Sequence, residues 1–191
     1  MNFDFSEDQK LLKEQVSKFL ADNCNIDVVR DVLEGESSYS EVVWNGLVEL
    51  GLTGTAIPEE YGGIGLGALE LCVIAEEIGR AAAPVPFSSS VYLGTDAIVK
   101  YGTESQKEKW LPKLASGEII STFALPETNS EPTEKNIKTS ILDGKINGKK
   151  IIFLGILYLT ESLDTQDPRK RFIAKKCIQK NNKKLSVAKT V

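Results

Sequence analysis

Acid–base chemistry in this 191-residue chain has to come from carboxylates, lysines, tyrosines, a cofactor or a partner, because the sequence contains no histidine. Every Ser-His-Asp or Cys-His nucleophilic arrangement is therefore excluded within it. Cys24, Cys72 and Cys177 are widely spaced and form no CxxC pair. With no imidazole to join them, they point to neither a zinc site nor a disulfide framework. Two carboxylate pairs stand out, Glu59-Glu60 and Glu76-Glu77. Acid and base must converge on one substrate, whereas adjacent residues in a glycine-rich turn diverge, so Glu59 and Glu60 read as solvated. Glu76 and Glu77 fall off the apolar stripe of their helix and read as surface residues. Tyr61 reads as packing or hydrogen bonding locally, and Trp44 and Trp110 fall on apolar helix faces, where core packing is the common use.

The elements that hold these residues can be read from caps and periodicity. Ser6-Glu7-Asp8-Gln9 is a capping box, and Leu12, Val16, Phe19 and Leu20 follow on one helical face. A loop at Leu33–Tyr39 leads to Ser40, which caps a second helix carrying Val43, Trp44, Leu47 and Leu50 and ending at Gly51. The run from Ile57 to Gly67 is dense in Pro and Gly and reads as an ordered loop. A third helix, from Ala68 to about Ile78, sets Leu71, Ile74, Ala75 and Ile78 on its stripe, with Gly79 as its stop. Pro84 and Pro86 precede a fourth, less regular helix at Ser89–Lys100, with Val91, Tyr92, Ala97, Ile98 and Tyr101. Thr103-Glu104-Ser105-Gln106 caps a fifth, which carries Trp110, Leu111 and Leu114, ends at Gly117 and should kink at Pro112. Ile119–Leu125, Ile137–Ile141 and Lys149–Phe153 read as strands, the last following the turn Asn147-Gly148.

Composition sets bounds on this plan. Apolar residues make up 41% and charged residues 26%, the balance of a globular protein. No apolar run approaches the roughly 18 to 20 residues that cross a bilayer, and the acidic start MNFDFSEDQK is unlike a signal or transit peptide. A cytoplasmic location with no membrane partner is expected. Up to Phe153 there are 14 Lys and Arg against 24 Asp and Glu; from Leu154 onward there are 9 against 3. The charge thus turns from −10 to +6, and the two sum to the chain's −4. The tail reads as a solvated basic segment. Aromatic interleaving is nearly absent from it, so nucleic acid is not an expected partner.

Several segments, in fixed order, resemble the acyl-CoA dehydrogenase family. They are Phe5-Ser6-Glu7-Asp8-Gln9, Glu49-Leu50-Gly51-Leu52, Pro58-Glu59-Glu60-Tyr61-Gly62-Gly63-Ile64-Gly65 and Glu76-Glu77-Ile78-Gly79-Arg80. Gly102–Lys107 and Trp110–Glu118 continue the likeness, which covers about Phe3 to Phe153. The resemblance implies a mainly α fold: a five-helix N-terminal acyl-CoA dehydrogenase-like domain at 1–118, followed by an incomplete antiparallel β segment at 119–153. A divergent basic tail then occupies 154–191. The family's C-terminal four-helix domain, with its catalytic glutamate, has no counterpart here, and a truncated or frameshifted product is expected from the charge break at Leu154.

The implied reaction removes a proton from Cα and a hydride from Cβ of an acyl-CoA thioester, with FAD as cofactor. The resemblance places flavin contacts at Phe123, Leu125, Pro126, Glu127, Ile152 and Leu154. Pro126 stands where the family has Thr, so a hydroxyl and a backbone N–H are lost there. The family's Gly-Ser-Asp is also missing from Thr128 to Thr133. No catalytic residue is assigned, and the chain by itself is expected to be inactive. Two alternatives stay open: a noncatalytic helical subunit pairing with a complete homologue in a homo- or hetero-oligomer, or a truncated product without function of its own.

Overall fold

The computed structural model describes residues 4–35, 37–123, 127, 133, 135–142 and 145–148. These fall into two compact units, Met1–Phe87 with Ala115–Gly117, and Ser88–Leu114 with Glu118–Val191.

The first unit is helical. Helix α1 (Glu7–Asn23) starts on the expected box: Gln9 N donates to Ser6 Oγ at 3.2 Å and Ser6 N to Gln9 Oε1 at 3.0 Å. Two otherwise orphaned amides are satisfied within three residues, so this start needs no tertiary help. Helix α2 (Ile26–Glu34) is absent from the sequence reading. Asn25 Oδ1 caps it by accepting from Asp27 N and Val28 N, but none of its residues is buried. Helix α3 (Glu41–Glu49) is capped by Ser40, whose Oγ accepts from Val43 N, and α4 (Ala68–Arg80) follows the glycine loop. A Cβ at Gly46 would meet the Phe19 ring at 2.2 Å, so glycine is what lets α1 and α3 approach. Val16, Leu20, Val43, Trp44, Leu47, Leu52, Ile57, Val73, Ile74 and Phe87 form the core. Each contributes about 1.5–3 kcal/mol of hydrophobic burial before entropy is counted.

Helix α4 departs from expectation in two ways. It runs through Gly79 to Arg80 and ends where Ala82 turns left-handed at φ 47; Gly79 is an ordinary helical residue. Its buried stripe is Val73, Ile74 and Glu77, while Leu71, Ala75 and Ile78 are half-buried. Periodicity fixes that a stripe exists but leaves its phase open by about one residue, and packing against α1 decides it.

In the second unit the irregular fourth helix resolves into a π-helix at Ser88–Thr95 continuing into α5 (Asp96–Tyr101). Its wide turns explain the uneven spacing of Val91, Ala97 and Ile98. Helix α6 (Glu104–Ala115; its last residue belongs to the first unit) starts on the second box, with Gln106 N to Thr103 Oγ1 at 3.3 Å. It carries Pro112 in its final turn and buries Trp110, Leu111 and Leu114.

The mainly α class holds, with six α-helices among the described residues where five were expected. The strand expected at Ile119–Leu125 is not found over its described part: 119–123 has no regular secondary structure, although Ile120, Ser121 and Thr122 are buried. Its β-like composition reflects burial without a neighbouring strand. Two strands do pair antiparallel, β1 (Ser140–Leu142) and β2 (Lys145–Asn147), in the register Ser140↔Asn147 and Leu142↔Lys145. Asn147 closes β2, where a turn was expected. The strand expected at Lys149–Phe153 and the tail lie outside the described residues.

Cys24 is buried and its thiol points at Ala81 O at 3.9 Å, whereas Cys72 is exposed on α4. Burial also pushes the Cys24 thiol upward from its ordinary value, so the reactive thiolate is suppressed there. With iodoacetamide under native conditions, Cys72 should be alkylated at least ~10-fold faster than Cys24. Site-resolved mass spectrometry checks this; equal rates would mean that α1 and α4 part readily.

Candidate flavin-facing segment

Of the six residues named as cofactor contacts, Phe123 and Glu127 are described; Leu125, Pro126, Ile152 and Leu154 lie outside the described residues. Phe123 is half-buried and directly follows the buried run Ile120-Ser121-Thr122. That run is anchored on the π-helix. Ser121 N donates to Ser90 Oγ at 3.1 Å, Ser121 Oγ donates to Ser90 O at 3.1 Å, and the two hydroxyls lie 3.5 Å apart. One turn on, a Cβ at Gly94 would lie 2.1 Å from Ser121 Oγ, so only glycine permits this approach. The next residue, Thr95, is buried, and its Oγ1 has no hydrogen-bond partner among the described residues.

Glu127 serves the hairpin. Its carboxylate accepts from Lys138 N at 2.5 Å, from Thr139 N at 3.0 Å and from the Thr139 hydroxyl. A Cβ at Gly148 would lie 2.1 Å from Thr139 Oγ1, which draws β2's end into the same knot. The fit to a flavin is therefore uneven. A half-buried aromatic ring on a rigid base suits stacking against a flat heterocycle. An orphaned buried hydroxyl on the neighbouring helix suits a polar ligand atom. Glu127, by contrast, is already engaged.

The first unit holds a second polar arrangement, an open cleft of about 660 Å³ between α1 and α4, lined by Lys10, Lys13, Ser17, Glu76, Glu77 and Arg80 among others. Glu77 was expected at the surface and is 1% exposed, which corrects that reading; Glu76 is exposed as expected. Arg80 Nε lies 2.9 Å from Glu77 Oε2, a second Arg80 nitrogen contacts the same oxygen and Ser17 Oγ, and Lys13 Nζ stands 3.7 Å from Glu77. Lys13 also pairs with Glu76 at 2.9 Å, which holds its ammonium above the ordinary lysine range. Nearby, Gln9 Nε2 donates to Glu70 at 2.8 Å and holds that carboxyl below its usual value, helped by backbone donors including Gly67 N. Lys13 and Arg80 are thus balanced by Glu76 and Glu77, and the Lys13–Glu76 and Arg80–Ser17 contacts tie α1 to α4. The usable sequence signal for Glu77 was Arg80 three residues on. Among the described residues no group of three His, Cys, Asp or Glu is placed to hold a metal, and no helix is long and apolar enough to cross a membrane.

Residues 6–118 match the family model described as "Acyl-CoA dehydrogenase, N-terminal domain". The chain is 39% identical over 155 residues to the mitochondrial isovaleryl-CoA dehydrogenase of Arabidopsis thaliana, an alignment covering 77% of this chain and 37% of that protein. It resembles the acyl-CoA dehydrogenase of Bacillus anthracis complexed with FAD at 32% identity and TM-score 0.57, over 67% of this chain and 22% of that one. The ChsE4-ChsE5 complex of Mycobacterium tuberculosis is similar at 28% identity and TM-score 0.63, over 69% and 36%. The chain thus spans little more than a third of the curated relative's length.

Proposed function

Because this chain belongs to the acyl-CoA dehydrogenase family, we propose that it contributes the helical part and one wall of an FAD-dependent site that dehydrogenates an acyl-CoA thioester between Cα and Cβ. The observation that carries the reading is the family match over residues 6–118, leading directly into the half-buried Phe123. Within that site Phe123 provides a ring for stacking, and Leu125, Pro126, Ile152 and Leu154 line the same wall. Glu127 holds the hairpin behind it through Thr139 and Lys138. FAD, when bound, supplies the hydride acceptor. No catalytic base is assigned among the described residues: Glu77 is committed to Arg80, and Glu59 and Glu60 are solvated in their turn. The reading carries a domain division at 118 and 153. It also carries a cytoplasmic location, although the Arabidopsis relative is a mitochondrial protein.

As one wall of such a site, the chain by itself is proposed to hold flavin weakly and to turn nothing over. Adding FAD to the purified chain should give saturable quenching of flavin fluorescence only at FAD well above stoichiometric levels, with no thioester-dependent bleaching. Tight one-to-one uptake with bleaching would refute the incomplete wall; no quenching at any concentration would refute the flavin assignment.

A second reading, a noncatalytic subunit paired with a complete homologue, is favoured by the face of α2, where Ile26 is 60% and Leu33 77% exposed. A yellow, full-length partner that stays bound through purification supports it; a monomer in its presence opposes it.

A further inference from the structure

We propose that Ser90 and Gly94 of the π-helix are positioning residues that clamp Ser121 and so set the orientation of Phe123 toward a flat aromatic ligand. The inference rests on the flavin reading for its ligand, and on independent geometry for the clamp.

Three observations converge within the second unit. First, the Ser90–Ser121 pair is reciprocal, with a main-chain amide and a side-chain hydroxyl of Ser121 both held by the same residue, and both serines are almost wholly buried. A hydroxyl bond alone lets a segment pivot; a second bond through the main chain removes that freedom. Second, Gly94 lies against Ser121 so closely that a Cβ would meet its Oγ at 2.1 Å and its Cβ at 2.6 Å. Third, the helix offering both contacts is wound as a π-helix, the irregular form that often marks functional sites. In an α-helix successive turns advance 3.6 residues. Ser90 and Gly94, four residues apart and so about one turn from each other, share one neighbour, Ser121.

The clamp acts two residues before Phe123. Segment 119–123 belongs to no sheet and is not ordered by a strand ladder. Side-chain bonds to the π-helix take that role and define where Phe123 begins. Thr95, whose buried hydroxyl has no hydrogen-bond partner among the described residues, ends the same helix.

Ser90→Ala in the full chain leaves the Ser121 amide buried without its acceptor. Hydrogen exchange at Ser121, Thr122 and Phe123 should accelerate about 10- to 100-fold, the range expected for an orphaned buried donor. Gly94→Ala should accelerate the same amides by pushing Ser121 away. Thr53→Val, which removes the Thr53 Oγ1 to Ala115 O bond of 2.7 Å in the other unit, controls for general destabilisation and should leave these amides as they were. The FAD concentration that half-quenches flavin fluorescence should rise about 10-fold in both clamp variants, as for one lost contact of ordinary strength. Unchanged exchange at Ser121–Phe123 overturns the clamp. Accelerated exchange with unchanged FAD affinity overturns the positioning role. If the unaltered chain quenches no flavin, the flavin reading and the orienting role fail together, while exchange alone still decides the clamp.

Discussion

Replacing Gly63 by alanine should destabilise the first unit by about 3 kcal/mol, the upper end of what overpacking costs, and by clearly more than the same change at Gly62. A Cβ on Gly63 would lie 2.0 Å from Ile57 O and 2.5 Å from Ile57 C. The obstacle is main chain, and it is held in place: Ile57 O accepts from Gly65 N at 2.8 Å, Thr55 O from Leu66 N at 2.7 Å and Gly54 O from Ile64 N at 2.9 Å. Relief therefore means breaking a mesh of backbone bonds. Gly62 is the contrary case, with φ 81 and nothing within 4 Å of its Cβ position. Alanine there meets the left-handed penalty alone, about 1–2 kcal/mol. Urea unfolding of the two variants, compared at equal slope, ranks them. Equal midpoints, or a less stable Gly62→Ala, would show that the loop relaxes around the close approach.

Arg80→Ala should cost about 3 kcal/mol, the low end of the loss when one partner of a buried pair is removed. The asymmetry of the pair sets this value. The Arg80 side chain is 63% exposed and is easily hydrated when free, but Glu77 is 1% exposed and would keep only Lys13, at 3.7 Å. Adding Glu77→Gln to Arg80→Ala should return part of the lost stability, because a neutral amide is less costly to bury than an uncompensated carboxylate. Thermal unfolding of the single and double variants tests both statements. An Arg80→Ala chain within about 0.5 kcal/mol of the parent, the range of inert surface changes, would mean that water in the cleft solvates Glu77 and that the bridge adds nothing.

Both predictions concern segments that the sequence flags by type and the fold explains by reason. Gly62-Gly63 is legible as a turn, yet nothing local separates the glycine that needs a left-handed backbone from the one that needs room. Glu76-Glu77 is legible as an acidic pair, yet one side chain is solvated and its neighbour is sealed. Helix α2 is hard to read from the sequence because Val28, Val29 and Val32 lower helix propensity and none of its residues is fully buried. Its surest signal was Asn25 as a cap. At the candidate site, Phe123 and Glu127 were chosen through family likeness; the role of Glu127 in holding Lys138 and Thr139 spans 11 and 12 residues and has no local signature.

The amino-acid order alone determined where α1, α3 and α6 begin. A cap is a bond between residues three apart, and Ser6, Ser40 and Thr103 carry the needed oxygen wherever the rest of the chain goes. It also determined the mainly helical class, through the repeat of apolar side chains. Tertiary packing decided which face of α4 is buried, why Gly63 tolerates no side chain, and that Ser90 meets Ser121 across 31 residues. Those choices depend on what lies opposite in space, a quantity that no window of neighbouring residues contains.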